Sequence, residues 1–528
     1  MKQFLIMVLN VFVIVNRMTL IKYVVISVVF LLITACNNSN GSSTIKDNKA
    51  PIAEAGVDQT IEQGSIVTFD ASESSDSDGE IISYEWKEGN VVLSTASLFT
   101  KDDFLLGTHT IVLTVTDNNN LSHSDTIIIS IVAKGEERAF VSTWEASLSC
   151  DSTKHFQVYI PTTGEGYNYN IDWGDGTSDT SVEGNITHKY PDAGYYQVEI
   201  TGDFPRIYFA DEEHEDCVEN ATKIQSVEQW GTIKWKSMGG AFTGCTNLTI
   251  DAQDSPNLSE VTDMAYMFSG ATELNANIGE WDVSTIRNME YMFQGATSFN
   301  KGLGSWDLSN VVDVNHMFNE AGKFNQDISE WNISKVEDMS FMFFEASEFN
   351  QDISKWNVSS VKKMSWTFAM TGKFDQDLSA WDVSNVENMF GLFYEASEFN
   401  QDIGSWKLDS LKNAAWMFAR TKSFNQDISS WNVSSVTNMD SMFSKALKFN
   451  QNIGAWDVSK VTIMKNMFNE VTLSVINYDA LLNGWSGLSL QRDVDFNAGN
   501  SKYSNTSLSD KNAITSNFNW TIKDGGEI

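Results

Sequence analysis

Residues 381–405 read WDVSNVENMFGLFYEASEFNQDIGS, and the next 25 residues restate the phrase as WKLDSLKNAAWMFARTKSFNQDISS. Trp281, Trp306, Trp331, Trp356, Trp381, Trp406, Trp431 and Trp456 each stand 25 residues from the next. Phe268, Phe293, Phe318, Phe343, Phe368, Phe393, Phe418, Phe443 and Phe468 keep the same step. Self-similarity at one period of this length marks coils stacked on one another. A lone coil cannot bury its apolar face, so residues 261–470 are expected to form one cooperative rod.

Within a coil, Val386, Met389, Phe393 and Ala396 fall on one helical face. Ser384 and Glu387 have capping-box spacing, repeated by Ser334 and Glu337. These signals predict a short helix or helical turn. The Phe-Asn-Gln-Asp-Ile segments at 324–328 and 349–353 then predict a brief strand, one rung of a parallel sheet. The Trp follows across a turn and is expected to pack inward.

This pattern resembles the BspA-type leucine-rich-repeat surface proteins of bacteria, with Met-Phe and Trp in place of many leucines. The resemblance runs from about Gln225 to the C-terminus. It implies a right-handed leucine-rich-repeat-like solenoid of short parallel strands and short helical turns. It also implies a cell-surface role in adhesion or protein binding. Residues 211–260 read as an N-terminal coil, recognisable by Phe242 and Leu258, and 471–528 as a C-terminal cap. In that cap, Tyr478 to Trp485 reads as a short helix closed by Gly484.

Upstream, residues 51–134 alternate apolar and polar side chains between turn signals, as strands of a small sandwich do. The segments DASESSDSDGEIISYEW and GTHTIVLTVTDNNN resemble PKD-type immunoglobulin-like domains. Residues 138–210 resemble a second such domain through DWGDGT (172–177) and HKYPDAGYYQVEI. Trp86 and Trp173 are the expected core anchors. The fold class is therefore multidomain, with two small all-β immunoglobulin-like sandwiches followed by the solenoid. Asp76, Asp78 and Glu80 fit either an acidic turn or a calcium site.

Acidic residues outnumber basic ones 70 to 35, a formal net charge of −35, and no basic patch offers itself to nucleic acid. Residues 1–35 read as a signal peptide, with Lys22 before the apolar run Tyr23 to Ile33. Ile33-Thr34-Ala35-Cys36 resembles a lipobox, which makes Cys36 the lipidation site and 36–50 a flexible linker. A membrane-spanning anchor over Val11 to Ile33 is the alternative, and Met18 is a possible start. The expected address is the bacterial cell envelope, lipid-anchored and surface-exposed. Cys245 occupies a small core slot; Cys150, within the second sandwich, and Cys217, just after it, could pair in an oxidising compartment.

Stacking turns each repeat position into a column. Asn300, Asn325, Asn350, Asn400, Asn425 and Asn450 form an expected ladder, interrupted by Asp375. Asp327, Asp352, Asp377, Asp402 and Asp427 form a second column. Either each caps its own turn, or cations such as calcium lie between them. The third column is Tyr266, Tyr291, His316, Phe341, Trp366, Gly391, Trp416, Ser441 and Asn466. At 100° per residue it points away from the inward Met and Phe, which makes Tyr266, Tyr291, His316, Phe341, Trp366 and Trp416 candidate ligand-facing residues. The alternative folds these rings into grooves between coils.

With the signal, sandwiches and repeats assigned, no domain-sized stretch remains for a catalytic unit, and there is no HExxH or GxSxG. The expectation is a non-catalytic protein binding a host or neighbouring-cell protein or glycan, without a cofactor. A structural spacer in a surface layer is the main alternative; a secreted carbohydrate-active enzyme is a further one.

Overall fold

The computed structural model describes residues 48–56, 58–133, 135, 137–147, 156–210 and 220–528. The signal segment with Cys36, the Cys150 and Cys217 pair and the acidic run 211–216 lie outside the described residues. Contacts divide the chain into two compact units, one holding 69–99 and 111–126, the other 57–68, 100–110 and everything from 127 onward.

The N-terminal domain carries β1 (Gln59–Glu62), β2 (Val67–Asp70), β3 (Ile81–Glu88), β4 (Val91–Ser94), β5 (Leu98–Lys101), β6 (Gly107–Asp117) and β7 (Ser122–Val132). β3 pairs antiparallel with β4 and β6, and β1 runs parallel to the end of β7. Trp86 is fully buried against Phe69 and Phe99, with centroids 5.4 and 5.8 Å away, and its indole donates to the Ala96 carbonyl at 3.1 Å.

The second domain holds β8 (Phe140–Ala146), β9 (Phe156–Ile160), β10 (Asn168–Asp172), β11 (Ser178–Val182), β12 (Ile186–Tyr190) and β13 (Gly194–Asp203). Its larger sheet does not stop at the domain boundary. β14 (Ile224–Gln229) joins β8 antiparallel, and β15 (Thr249–Ile250) joins β14 parallel. One continuous hydrophobic core then runs from Phe140 to Trp520. The sandwich covers the first coil as a lid would, so the apolar end of the stack never meets water.

The repeats do stack, but their coils contain neither the expected helix nor the expected strand. Parallel bridges link Asp263, Asn288, Asp313, Asp338, Lys363, Asn388, Asn413, Asn438 and Ile463, just before an inward apolar residue that is Met in all but two coils (Val314 and Ala414), and not at the Phe-Asn-Gln-Asp-Ile segment. The apolar run is a chain of tight turns. Met292, Gln294 and Ala296 donate to carbonyls three residues back, whereas Tyr291, Phe293 and Gly295 donate to Asn315, Met317 and Asn319 of the next coil at 2.8–2.9 Å. A helix would turn all these N–H groups inward along its own axis; here alternate ones tie coil to coil. The alternation requires left-handed backbone twice per coil, as at Phe341 (φ 58°) and Glu345 (φ 57°). Ser384 is no helix cap: its amide donates to Asp382 Oδ1 at 3.1 Å, and Glu387 reaches Lys412 of the next coil at 2.6 Å.

The Trp column does pack inward. Each indole from Trp306 to Trp456 is nearly buried and donates to a carbonyl 28 residues earlier, as Trp356 does to Ile328 at 3.0 Å. After Glu470 the stack continues with helices in place of the turns. α1 (Val475–Ser486) precedes β16 (Asp495–Asn497), and α2 (Leu508–Phe518) precedes β17 (Thr521–Lys523). β16 bridges Met464 and pairs parallel with β17. Gly484 lies inside α1 rather than closing it; a Cβ there would fall 1.9 Å from the Gly454 carbonyl oxygen, so the glycine permits close approach.

Candidate functional site

The third column stands at the first left-handed position of each coil, from Tyr266 to Ser441. The second left-handed position accepts Gly, Glu, Met, Arg and Lys alike, so the strain belongs to the coil and not to a site. No helix turns these rings outward, yet they lie outside the buried core. Tyr266 is 38% exposed and Tyr291, His316, Phe341, Trp366 and Trp416 are half-buried, unlike the Trp and Phe core columns.

The first four rings stack face to face. Centroids are 4.6 Å apart for Tyr266 and Tyr291, 4.1 Å for Tyr291 and His316, and 4.3 Å for His316 and Phe341, all within 9° of parallel. Between two rings, His316 is partly removed from water, and this burial pushes its imidazole down to about 4. Phe341 and Trp366 are looser, at 6.2 Å and 21°.

At the next coil the column breaks, because position 391 is glycine. The Trp366 indole leans over it: a Cβ on Gly391 would lie 2.8 Å from Trp366 Cδ2 and Cε3. Neighbouring columns supply the walls. Phe390 and Tyr394 meet the Trp366 ring edge-on at 5.2 and 5.1 Å, and Phe344 does so at 6.1 Å. With Phe341, Met370 and Trp416 they line a groove of ≈ 590 Å³. The structure thus brings Phe341, Trp366 and Trp416 together and leaves Tyr266 and Tyr291 three and two coils from Phe341, the near edge of the groove. Phe344, Met370, Phe390 and Tyr394 were not legible as site residues, since none repeats as an aromatic column. The signal that could have found them is the glycine interrupting a file of rings.

The Asp column lies elsewhere on the coil. Each carboxylate accepts the amide two residues on: Asp327 from Ser329, Asp352 from Ser354 and Asp402 from Gly404 at 2.9 Å, as Asp377 does from Ser379 and Asp427 from Ser429. Hydrogen bonds from the Ser backbone and hydroxyl hold Asp327, Asp352, Asp377 and Asp427 below the usual carboxylate range. Among the described residues no group of three or more His, Cys, Asp or Glu is placed to hold a metal ion. The Asn column joins coils: Asn325 Oδ1 accepts from the Asn350 amide at 2.9 Å and from Gln351 Nε2 at 2.9 Å. Cys245 is fully buried, which raises its thiol well above the ordinary value.

In the second sandwich, Asp175 Oδ2 contacts His188 Nε2 at 2.8 Å, and the His188 ring stacks on Trp173 at 4.6 Å. Thr177 meets the same Nε2 at 3.5 Å and Asp175 at 2.6 Å. A hydroxyl and a carboxylate on one ring nitrogen cannot relay a proton as a catalytic triad does. The cluster instead closes the turn that places Trp173, whose carbonyl accepts from Tyr190 Oη at 2.9 Å.

Sequence comparison agrees with this division. The model of the family described as "Mycoplasma protein of unknown function, DUF285" matches residues 213–330, 322–427 and 405–489, together just over half of the chain. The chain belongs to that family. PKD domain models match residues 48–131 and 139–203. Collagenase ColA of Clostridium perfringens (strain 13 / Type A) is 33% identical over 95 residues, which is 18% of this chain and 9% of that one. The chain thus spans about a tenth of the length of that relative. A solved structure titled "Structural basis for the promiscuous specificity of the carbohydrate-binding modules from the beta-sandwich super family" aligns over 29% of this chain and 97% of its own, at 18% identity and a TM-score of 0.17.

Proposed function

We propose that this chain is a non-catalytic binding protein of the bacterial cell envelope, held by lipid at Cys36 and presenting its coil stack to a protein or glycan outside. On this reading the repeats are a variant of the BspA-type leucine-rich-repeat design, with the PKD domains lifting the stack away from the membrane. The observation that carries it is the groove at Gly391. Core packing already places the Trp and Phe of every coil inside, so it does not explain a second set of aromatic rings left at the surface.

A row of half-exposed rings favours recognition because aromatic side chains bury large area at low entropic cost. Screening the full chain against an array of glycans and extracellular-matrix proteins tests the reading. Saturable binding that is lost in Trp366→Ala/Trp416→Ala is expected. Absence of any saturable partner would favour a surface-layer spacer instead.

A further inference from the structure

The groove has a chemical character that narrows the occupant, provided the binding reading above holds. Its lining is largely hydrocarbon: Phe341, Phe344, Met370 and Phe390, with the Tyr394 hydroxyl and the indole nitrogens of Trp366 and Trp416 as its polar groups. A sugar ring stacked there would find only the Tyr394 hydroxyl and two indole N–H groups, too few directional partners to select one sugar from another. A bulky apolar side chain loses nothing on entering.

Toward the N-terminal end of the same column the surface changes sign. Glu290 lies near Tyr266 and Tyr291, Asp313 near Tyr291 and Asp338 near His316, with Asp263 close to Glu290. Burial, then the repulsion of Asp313, Asp338 and Asp263, lifts the Glu290 carboxyl above its ordinary range. Burial and Asp338 do the same to Asp313. Lys363 offsets part of this charge, through an ion pair with Asp338 at 3.0 Å and a weaker attraction to Asp313. Carboxylates bunched along the stack attract a cation by charge.

We infer that the stack binds an extended polypeptide segment whose bulky apolar side chain fills the Gly391 groove and whose basic residue lies beside Glu290. The two ends are four coils apart, about 19 Å at the spacing of stacked strands. An extended peptide covers that distance in about six residues. The apolar anchor supplies affinity, and the basic residue fixes the direction of the segment along the column.

The test uses the full chain in lipid nanodiscs and fluorescein-labelled synthetic decapeptides. Two lysines stand six residues before or after a tryptophan in the parent probes; control probes carry glutamate for the lysines or serine for the tryptophan. Cellohexaose and chitohexaose serve as sugar probes. One parent peptide is expected to bind saturably, with affinity falling at least tenfold in either control. Trp366→Ala/Trp416→Ala should abolish binding. Glu290→Gln should weaken the lysine peptide severalfold and flatten its salt dependence, yet leave the glutamate control unchanged. If a hexaose binds in a Trp366-dependent way and no peptide does, the peptide inference is overturned and the groove survives as a glycan site. If peptides bind equally well to the Trp366→Ala/Trp416→Ala chain, the groove itself is not the site. Binding of no probe at all overturns both.

Discussion

Gly391 shapes the groove by lacking a single carbon. Gly391→Ala puts a methyl group 2.8 Å from the Trp366 indole, which must swing away. Other residues of the column hold the same left-handed backbone, so the stability cost should stay near 1 kcal/mol. Ligand binding should fall and the Trp366 emission shift; unchanged binding would show that the groove does not depend on this position. His316 makes a different prediction. Its folded value near 4 lies below its ordinary 6.5, so the folded state takes up fewer protons between these limits. Stability is then highest above about pH 6.5 and declines toward pH 4. His316→Phe should flatten that part of the melting-temperature profile, and an unaltered slope would assign it to another group. The lowered Asp327, Asp352, Asp377 and Asp427 act in the same direction but in a lower range. Their contribution is complete above the unfolded carboxylate value of about 3.9 and is lost as pH falls through the lower folded values. Because each is satisfied by its own turn, chelation of divalent cations should leave the melting temperature unchanged. A fall of several degrees would place cations between the carboxylates.

In the coil, the sequence carries the period but not the backbone conformation. Its period and its inward Trp and Phe columns were legible because identical side chains at a fixed step must superpose. The local conformation was not. Val386, Met389, Phe393 and Ala396 fit a helical face equally well whether the backbone is helical or a run of turns, and apolar spacing alone does not distinguish them. What decides is where alternate N–H groups go, and that depends on a neighbouring coil. The recurrent Asp and Asn were a better guide: Asn288, Asp382 and Asp402 each accept the amide two residues on, so the coil bends at side-chain-closed turns. The Asn ladder yields a stability prediction at this scale. Asn350 Oδ1 accepts the Asp375 amide at 3.0 Å and Gln376 Nε2 at 2.8 Å. Asn350→Ala should cost about 1–3 kcal/mol in chemical denaturation, whereas Asn350→Asp should be tolerated. Asp375 already fills that role for the Asn400 amide at 2.9 Å. Equal losses in both variants would show that the ladder does not depend on the side-chain oxygen.

At the scale of the whole molecule, the second PKD domain, the repeats and the two helical coils share one core and should unfold together. The boundary near 210 was legible as a change of pattern, but the β8–β14 pairing across it was not, since strand partners distant in sequence leave no local mark. The account's central claim is that two sets of aromatic residues on one stack do different things: one builds the core and the other meets a ligand. Calorimetric melting of two paired variants tests it most directly. Trp356→Ala/Trp381→Ala removes two nearly buried indoles and should cost about 3–5 kcal/mol at each site, lowering the transition by about 7–12 °C. Trp366→Ala/Trp416→Ala should lower it by no more than about 5 °C. A comparable collapse in the second pair would contradict the claim and return those rings to the core.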